Sequence, residues 1–159
     1  ISDLVVVAAD LGFAKKARNF AETLHAPVAF VEKRRSGSAT ESVTVIGDVR
    51  GANVLIVDDE VDRGGTLAGA ARIVREAGAK DIYACFVHAT ISDGAAERLA
   101  QAGFAEIVCT NTEPITEDKM LPNLKVIHLG QWLGDVIGAV HRGRSVGRTL
   151  SEYGVGYEQ

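Results

Sequence analysis

The stretch that most constrains this chain is the thirteen-residue run Val54-Leu55-Ile56-Val57-Asp58-Asp59-Glu60-Val61-Asp62-Arg63-Gly64-Gly65-Thr66. Residues 54–57 are a short, unbroken apolar run, the pattern of a strand buried on both faces of a parallel sheet. Asp58 and Asp59 then place two carboxylates at the carboxyl end of that strand, where open α/β sheets bind their ligands. Residues 62–66 make a small glycine-containing turn, and residues 67–75 read as a helix. Backbone N–H groups at such a turn and at a helix N-terminus form an anion site. Two acids beside an anion cradle suit a phosphorylated polyol, with its phosphate in the turn and its hydroxyls on the carboxylates. On spacing alone, the same residues also fit a solvated strand end.

The rest of the chain alternates strands and helices. Residues 4–9 read as a first buried strand, Asp10-Leu11-Gly12 as a turn, and residues 13–24 as a helix with Phe13, Ala14, Ala17, Phe20, Ala21 and Leu24 on one side. Pro27 opens a second strand over residues 28–31. Glu32-Lys33-Arg34-Arg35 follows, and then residues 36–42, polar and small, a candidate mobile loop. Residues 42–47 resume extended structure and residues 48–51 turn into the motif strand. Beyond the motif helix, Gly78 stops the helix. Strands are expected at 81–87, 104–109 and 123–129, with helices at 93–102 and 132–140. The last helix carries Trp132, Leu133, Val136, Ile137 and Val140 as an apolar stripe. This alternation predicts an α/β fold with one mainly parallel central sheet flanked by helices. Residues 1–142 form the expected domain. Residues 143–159, rich in Gly, Ser and charge, form a tail that is loosely held or used in oligomer contacts.

Composition narrows the function classes. At 159 residues and 47% apolar content the chain suffices for one well-packed domain. A net charge of −4 and a pI near 5.6 argue against general nucleic-acid affinity. No apolar run approaches the ~18 residues of a membrane span. The chain begins at Ile1 with neither an initiator Met nor a signal peptide, so residues upstream are expected to be missing. Cys85 and Cys109 sit in apolar, strand-like runs without CxxC spacing and read as buried free thiols, which makes a reducing, cytoplasmic setting the default.

Several polar residues keep two readings. Lys33, Arg34 and Arg35 are either a solvated patch or cations that a mobile loop carries over a phosphate in a transition state. Asp10 is either a cap for the helix near Phe13 or a metal ligand. His88, at a strand end, is either a base or a polar rim residue. His25, His128 and His141 have no metal-site spacing. There is no Ser-His-Asp, P-loop or GxGxxG pattern, so no dinucleotide cofactor is indicated.

The 54–66 run closely resembles the ribose-phosphate-binding motif of the type I phosphoribosyltransferase family. That resemblance implies the type I fold, the ribose 2- and 3-hydroxyls on Asp58 and Asp59, and the 5-phosphate on Asp62, Arg63, Gly64, Gly65 and Thr66. Arg63 departs from the small or hydroxylic residue usual there, and its cation either helps the phosphate or crowds it. Further stretches in order resemble the C-terminal half of the ribose-phosphate pyrophosphokinases. These are Asp3-Leu4-Val5-Val6-Val7 leading to Asp10 and Gly12, Glu32-Lys33-Arg34-Arg35, Ile46-Gly47-Asp48-Val49, residues 78–85 and Thr110-Asn111-Thr112. The likeness runs from Asp3 to about Leu150.

It implies pyrophosphoryl transfer from MgATP to the 1-hydroxyl of ribose 5-phosphate, with phosphoribosyl pyrophosphate and AMP as products. It assigns Lys33 and Arg35 to the transferred group and Asp10 to Mg2+, and it implies assemblies built from dimers. Three departures bear on this. Ala8-Ala9-Asp10-Leu11-Gly12-Phe13 replaces a Ser-Pro-Asp-x-Gly-Gly stretch, the loop after Arg35 lacks a further Arg, and the N-terminal half that supplies much of the ATP site is absent. The alternatives are a non-catalytic regulatory homologue of the synthetase and a stand-alone type I phosphoribosyltransferase, for which no base-recognising hood is visible.

Overall fold

A computed structural model describes residues 1–35 and 41–154, with the side chains of residues 33–35 and 41–42 outside that description. Its elements divide into two units, Ile1–Val126 and Ile127–Gln159.

The first unit carries a seven-stranded sheet, closed at one edge by β7, in the order β3-β2-β1-β4-β5-β6-β7. Its strands are β1 (Leu4–Ala8), β2 (Val28–Arg35), β3 (Glu41–Ile46), β4 (Asn53–Glu60), β5 (Ile82–His88), β6 (Glu106–Thr110) and β7 (Leu124–Ile127). The unbroken apolar runs of β1 and β4 are buried on both faces, and side chains alternate between two cores. Val5, Val7, Val54 and Ile56 join one core with Leu67, Ala70, Ala95 and Leu99. Val6, Ala8 and Val57 join the other with Ala17 and Ala21. This is the period of two that a strand imposes, and two apolar faces require cover on both sides. One cover is α1 (Ala14–Thr23); the other is α2 (Gly65–Glu76) with α3 (Ala95–Gln101). In α2 the buried residues Leu67, Ala70, Ala71 and Val74 follow the spacing of one helix face, with Ile73 buried beside them. The side expected for α1 holds for Ala17 and Ala21, whereas Phe20 and Leu24 are 38% and 42% exposed.

Strand order positions the site. β1 pairs in parallel with β2 on one side and with β4 on the other, with Val6 opposite Val28 and Ala8 opposite Val57. The chain therefore leaves β1 in one direction for β2 and returns to β1's other side with β4. Such a reversal opens a crevice at the carboxyl ends of the two strands. β3 runs antiparallel to β2, with Arg35 opposite Glu41. Residues 36–40, which lie outside the described residues, are all that separates the two strands, and a parallel return needs a crossover of about a dozen residues or more. Of the loop expected at 36–42, residues 41–42 thus begin β3.

The second unit contains α4 (Gly130–His141) and α5 (Val146–Glu152). The segment after Gly143, low in apolar anchors, is helical from Val146, and Ser145 caps it by accepting from Arg148 N–H at 3.3 Å. The apolar stripe of α4 is largely uncovered: Ile137 and Val140 are 66% and 63% exposed, and only Ala139 is buried. Periodicity defines which helix face is apolar; it does not say whether this chain covers that face. No described helix is long and apolar enough to cross a membrane.

Candidate ribose-phosphate site

At the switch point lies an open cleft of about 550 Å³, lined by Asp10 from beyond β1, by Asp58, Asp59 and Glu60 from β4, and by residues 61–67. The structure thus brings together Asp10, Asp58, Asp59, Asp62, Arg63, Gly64, Gly65 and Thr66. Lys33 and Arg35 belong to β2 by backbone, and their side chains lie outside the described residues.

Asp58 is half-buried. Loss of water pushes its carboxyl up to about 6, the hydrogen bond from Asp59 N–H (3.0 Å) opposes the rise, and the charges of Asp10 and Asp59 add to it. Asp59 is exposed, and a hydrogen bond from Lys16 Nζ to its Oδ2 (2.8 Å) holds it below the usual carboxylate range. The Lys16 ammonium also stands 5.2 Å from the centre of the Phe13 ring. Asp10 is a cap: its Oδ1 accepts from Phe13 N–H at 3.2 Å and closes the 3-10 turn Leu11–Phe13. Its carboxylate still faces the cleft.

The raised value for Asp58 has a definite consequence for stability. A carboxyl that titrates at 3.8 unfolded and about 6 folded contributes stability below pH 3.8, and that contribution is lost as pH rises through 6. Asp58→Asn is therefore expected to stabilise the fold above pH 6, by about 1 kcal/mol once partial exposure is allowed for, and to have little effect near pH 4. Thermal melts of both proteins at pH 4 and pH 8 check this; equal shifts at the two pH values would contradict it.

The cradle is built by backbone. Gly64 precedes α2 with φ 67°, in the left-handed region that favours glycine, and is buried; a Cβ there would lie 3.3 Å from Leu99 Cγ and Cδ2. Among the described residues, none of the N–H groups of Asp62, Arg63, Gly64, Gly65 and Thr66 donates to a protein acceptor. With the positive end of the α2 dipole they leave a donor-rich concavity beside the acids. The side chain of Arg63 is 85% exposed, 4.0 Å from Asp62 Oδ2, so it lies out in solvent and does not fill the cradle.

His88 is exposed at the end of β5, its Nδ1 is hydrogen-bonded to Thr112 Oγ1 at 3.0 Å, and it is not among the residues lining the cleft. Cys85 and Cys109 are free thiols, partly and fully buried. No group of three or more metal-ligating side chains is present among the described residues. Reading the sequence missed Lys16, which differs from Lys15 only in helix phase, and Glu60, whose Oε1 accepts from Thr90 Oγ1 at 3.1 Å.

A mainly parallel sheet with paired acids and a glycine-containing turn of undonated N–H groups at its switch point is the phosphoribosyltransferase type of fold. Orotate phosphoribosyltransferase from Aeropyrum pernix shares that fold, with a TM-score of 0.55 and 24% identity over 84% of this chain and 66% of its own. The chain belongs to the phosphoribosyl synthetase-associated domain family, whose model matches residues 38–150. The phosphoribosylpyrophosphate synthetase of Mycobacterium smegmatis superposes with a TM-score of 0.83 and 42% identity, over 89% of this chain and 46% of that one. Ribose-phosphate pyrophosphokinase of Nostoc sp. is 43% identical over 148 residues, 92% of this chain and 45% of the relative. The chloroplastic ribose-phosphate pyrophosphokinase 1 of Oryza sativa subsp. japonica is 44% identical over 91% of this chain and 37% of its own length. The chain spans less than half the length of these curated relatives.

Proposed function

We propose that the chain is the ribose 5-phosphate-binding half of a ribose-phosphate diphosphokinase, which transfers pyrophosphate from MgATP to the 1-hydroxyl of ribose 5-phosphate and releases AMP. The observation that carries this reading is the cleft at the β1–β4 switch point, where two adjacent carboxylates abut a turn of undonated N–H groups in a chain of this family. Asp58 and Asp59 accept the ribose hydroxyls, and residues 62–66 hold the 5-phosphate. Lys33 and Arg35, just beyond the carboxyl end of β1, stabilise charge on the transferred group.

Magnesium fits the donor set, because it is held through one or two carboxylates plus substrate phosphates. Asp10 is the residue for it: Oδ1 caps Phe13, and Oδ2 is unengaged among the described residues. When bound, the ion neutralises charge on the phosphates being transferred. Like the family it resembles, the enzyme is proposed to work as a homo-oligomer.

A second reading, a non-catalytic regulatory homologue, is favoured by the Lys16–Asp59 pair, which already neutralises one ribose acceptor. The deciding experiment mixes the longest chain containing this sequence with MgATP and ribose 5-phosphate and follows AMP. AMP release that depends on ribose 5-phosphate supports the enzyme. Binding without AMP moves the assignment to the silent homologue, and neither binding nor turnover overturns both.

A further inference from the structure

The cradle's three successive carbonyls all point at one neighbour. Val61 O accepts from Ile91 N–H at 2.9 Å, Asp62 O accepts from Ser92 N–H at 2.9 Å, and Arg63 O accepts from the guanidinium Nη1 of Arg98 on α3. In a trans peptide the carbonyl of one residue opposes the N–H of the next, and no cis bond is present among the described residues. Holding these carbonyls towards the 91–98 segment therefore turns the N–H groups of Asp62, Arg63 and Gly64 the other way. The first two carbonyls are held by backbone donors, which any sequence could supply, with Ser92 Oγ adding a longer bond of 3.4 Å to Asp62 O. The third is held by a side chain. It is also the one most in need of holding, because the peptide between Arg63 and Gly64 adjoins a glycine that tolerates either sign of φ. If that peptide turned over, a carbonyl oxygen would face the phosphate in place of an N–H.

We propose that Arg98 is a positioning residue for the phosphate cradle: its guanidinium fixes the Arg63–Gly64 peptide with the N–H towards the ligand, without touching the ligand itself. The inference rests on the ribose 5-phosphate reading above. The neighbouring geometry agrees with it. Leu99, next to Arg98 on α3, packs under Gly64, so α3 meets the cradle through one apolar and one charged contact. Ile91, the donor to Val61 O, is fully buried with φ 39°, a strained conformation for a β-branched residue, in the segment that braces the turn. Arg98 itself is exposed and leaves no cavity when shortened.

The test is calorimetric titration of ribose 5-phosphate, and separately of inorganic phosphate, into the wild-type chain, Arg98→Leu and Arg98→Lys, with a thermal melt of each. Arg98→Leu is expected to weaken both ligands about tenfold, the loss of one charge-assisted hydrogen bond's worth of orientation. Its melt should stay cooperative, and Arg98→Lys, which keeps a donor, should bind within about threefold of wild type. Wild-type affinity in Arg98→Leu overturns the proposal while leaving the function reading intact. A loss that Arg98→Lys does not relieve marks a structural role and overturns it too. If the wild-type chain binds neither ligand, the ribose 5-phosphate reading fails, and the positioning role fails with it.

Discussion

Replacing Asp58 and Asp59 together by asparagine is expected to weaken ribose 5-phosphate binding at least about 100-fold at pH 8, because each carboxylate is a charge-assisted acceptor worth on the order of 1.5–3 kcal/mol. The high pH matters. Asp58 titrates near 6, so only above that value is it the full acceptor that asparagine fails to replace. The two acids do not contribute alike. Asp58 is half-buried, its charge is opposed by Asp10 and Asp59, and no cation among the described residues donates to it, so a ribose hydroxyl is expected to add a hydrogen bond to the one it accepts from Asp59 N–H. Asp59 already accepts from Lys16, so the sugar must share or displace that ammonium. The single variants should therefore rank with Asp58→Asn as the more damaging. In the double variant Lys16 loses its partner while the cradle is untouched, so inorganic phosphate should bind no more weakly than to wild type. Calorimetry with both ligands reads this directly, and an unchanged affinity for ribose 5-phosphate would sink the ribose assignment.

The second large effect lies in turnover. In the complete enzyme, Lys33→Ala is expected to lower kcat by about 100- to 1000-fold while leaving ribose 5-phosphate affinity within a few-fold of wild type. Ala8, the last residue of β1, is opposite Phe30, but β2 runs on to Arg35, so Lys33 lies about 10 Å of extended chain beyond the end of β1. That is the end at which the crevice opens, and Asp58, Asp59 and the turn of residues 62–66 lie on β4 and at the start of α2, across β1 from β2. On the proposed reading, a cation supplied from this side is expected to serve the transferred group and not the sugar. Steady-state kinetics separates the outcomes: a rise in KM for ribose 5-phosphate with kcat unchanged would place Lys33 in substrate binding and not in the transfer.

What was legible in the sequence follows a physical division. The strand, acids, turn and helix of residues 54–66 are contiguous, so burial on both faces, the carboxyl-end acids and the glycine turn are all recorded locally. The structure finds them as β4, the cleft acids and the start of α2. What depends on strand order was not local. Nothing in periodicity places β1 between β2 and β4, or turns β3 antiparallel; a five-residue connection does the latter. Lys16 reaches Asp59 across 43 positions of chain, and Arg98 reaches Arg63 across 35, so neither announces itself by spacing. The α4 stripe shows the converse limit, a pattern correctly read as amphipathic whose covering surface a pattern cannot supply.

The pairing of β1 with β4 also governs when the site comes into being as the chain folds. Asp10 follows one strand and Asp58 lies near the end of the other, and they become neighbours only once residues 4–8 have zipped alongside residues 53–57. The intervening segment must close as a loop first, an entropic barrier that long-range parallel pairing characteristically imposes. On the proposed reading, a ligand that engages both Asp10 and the β4–α2 turn is held in full only once β1 has paired with β4, so it is expected to slow unfolding of the finished sheet more than it speeds folding.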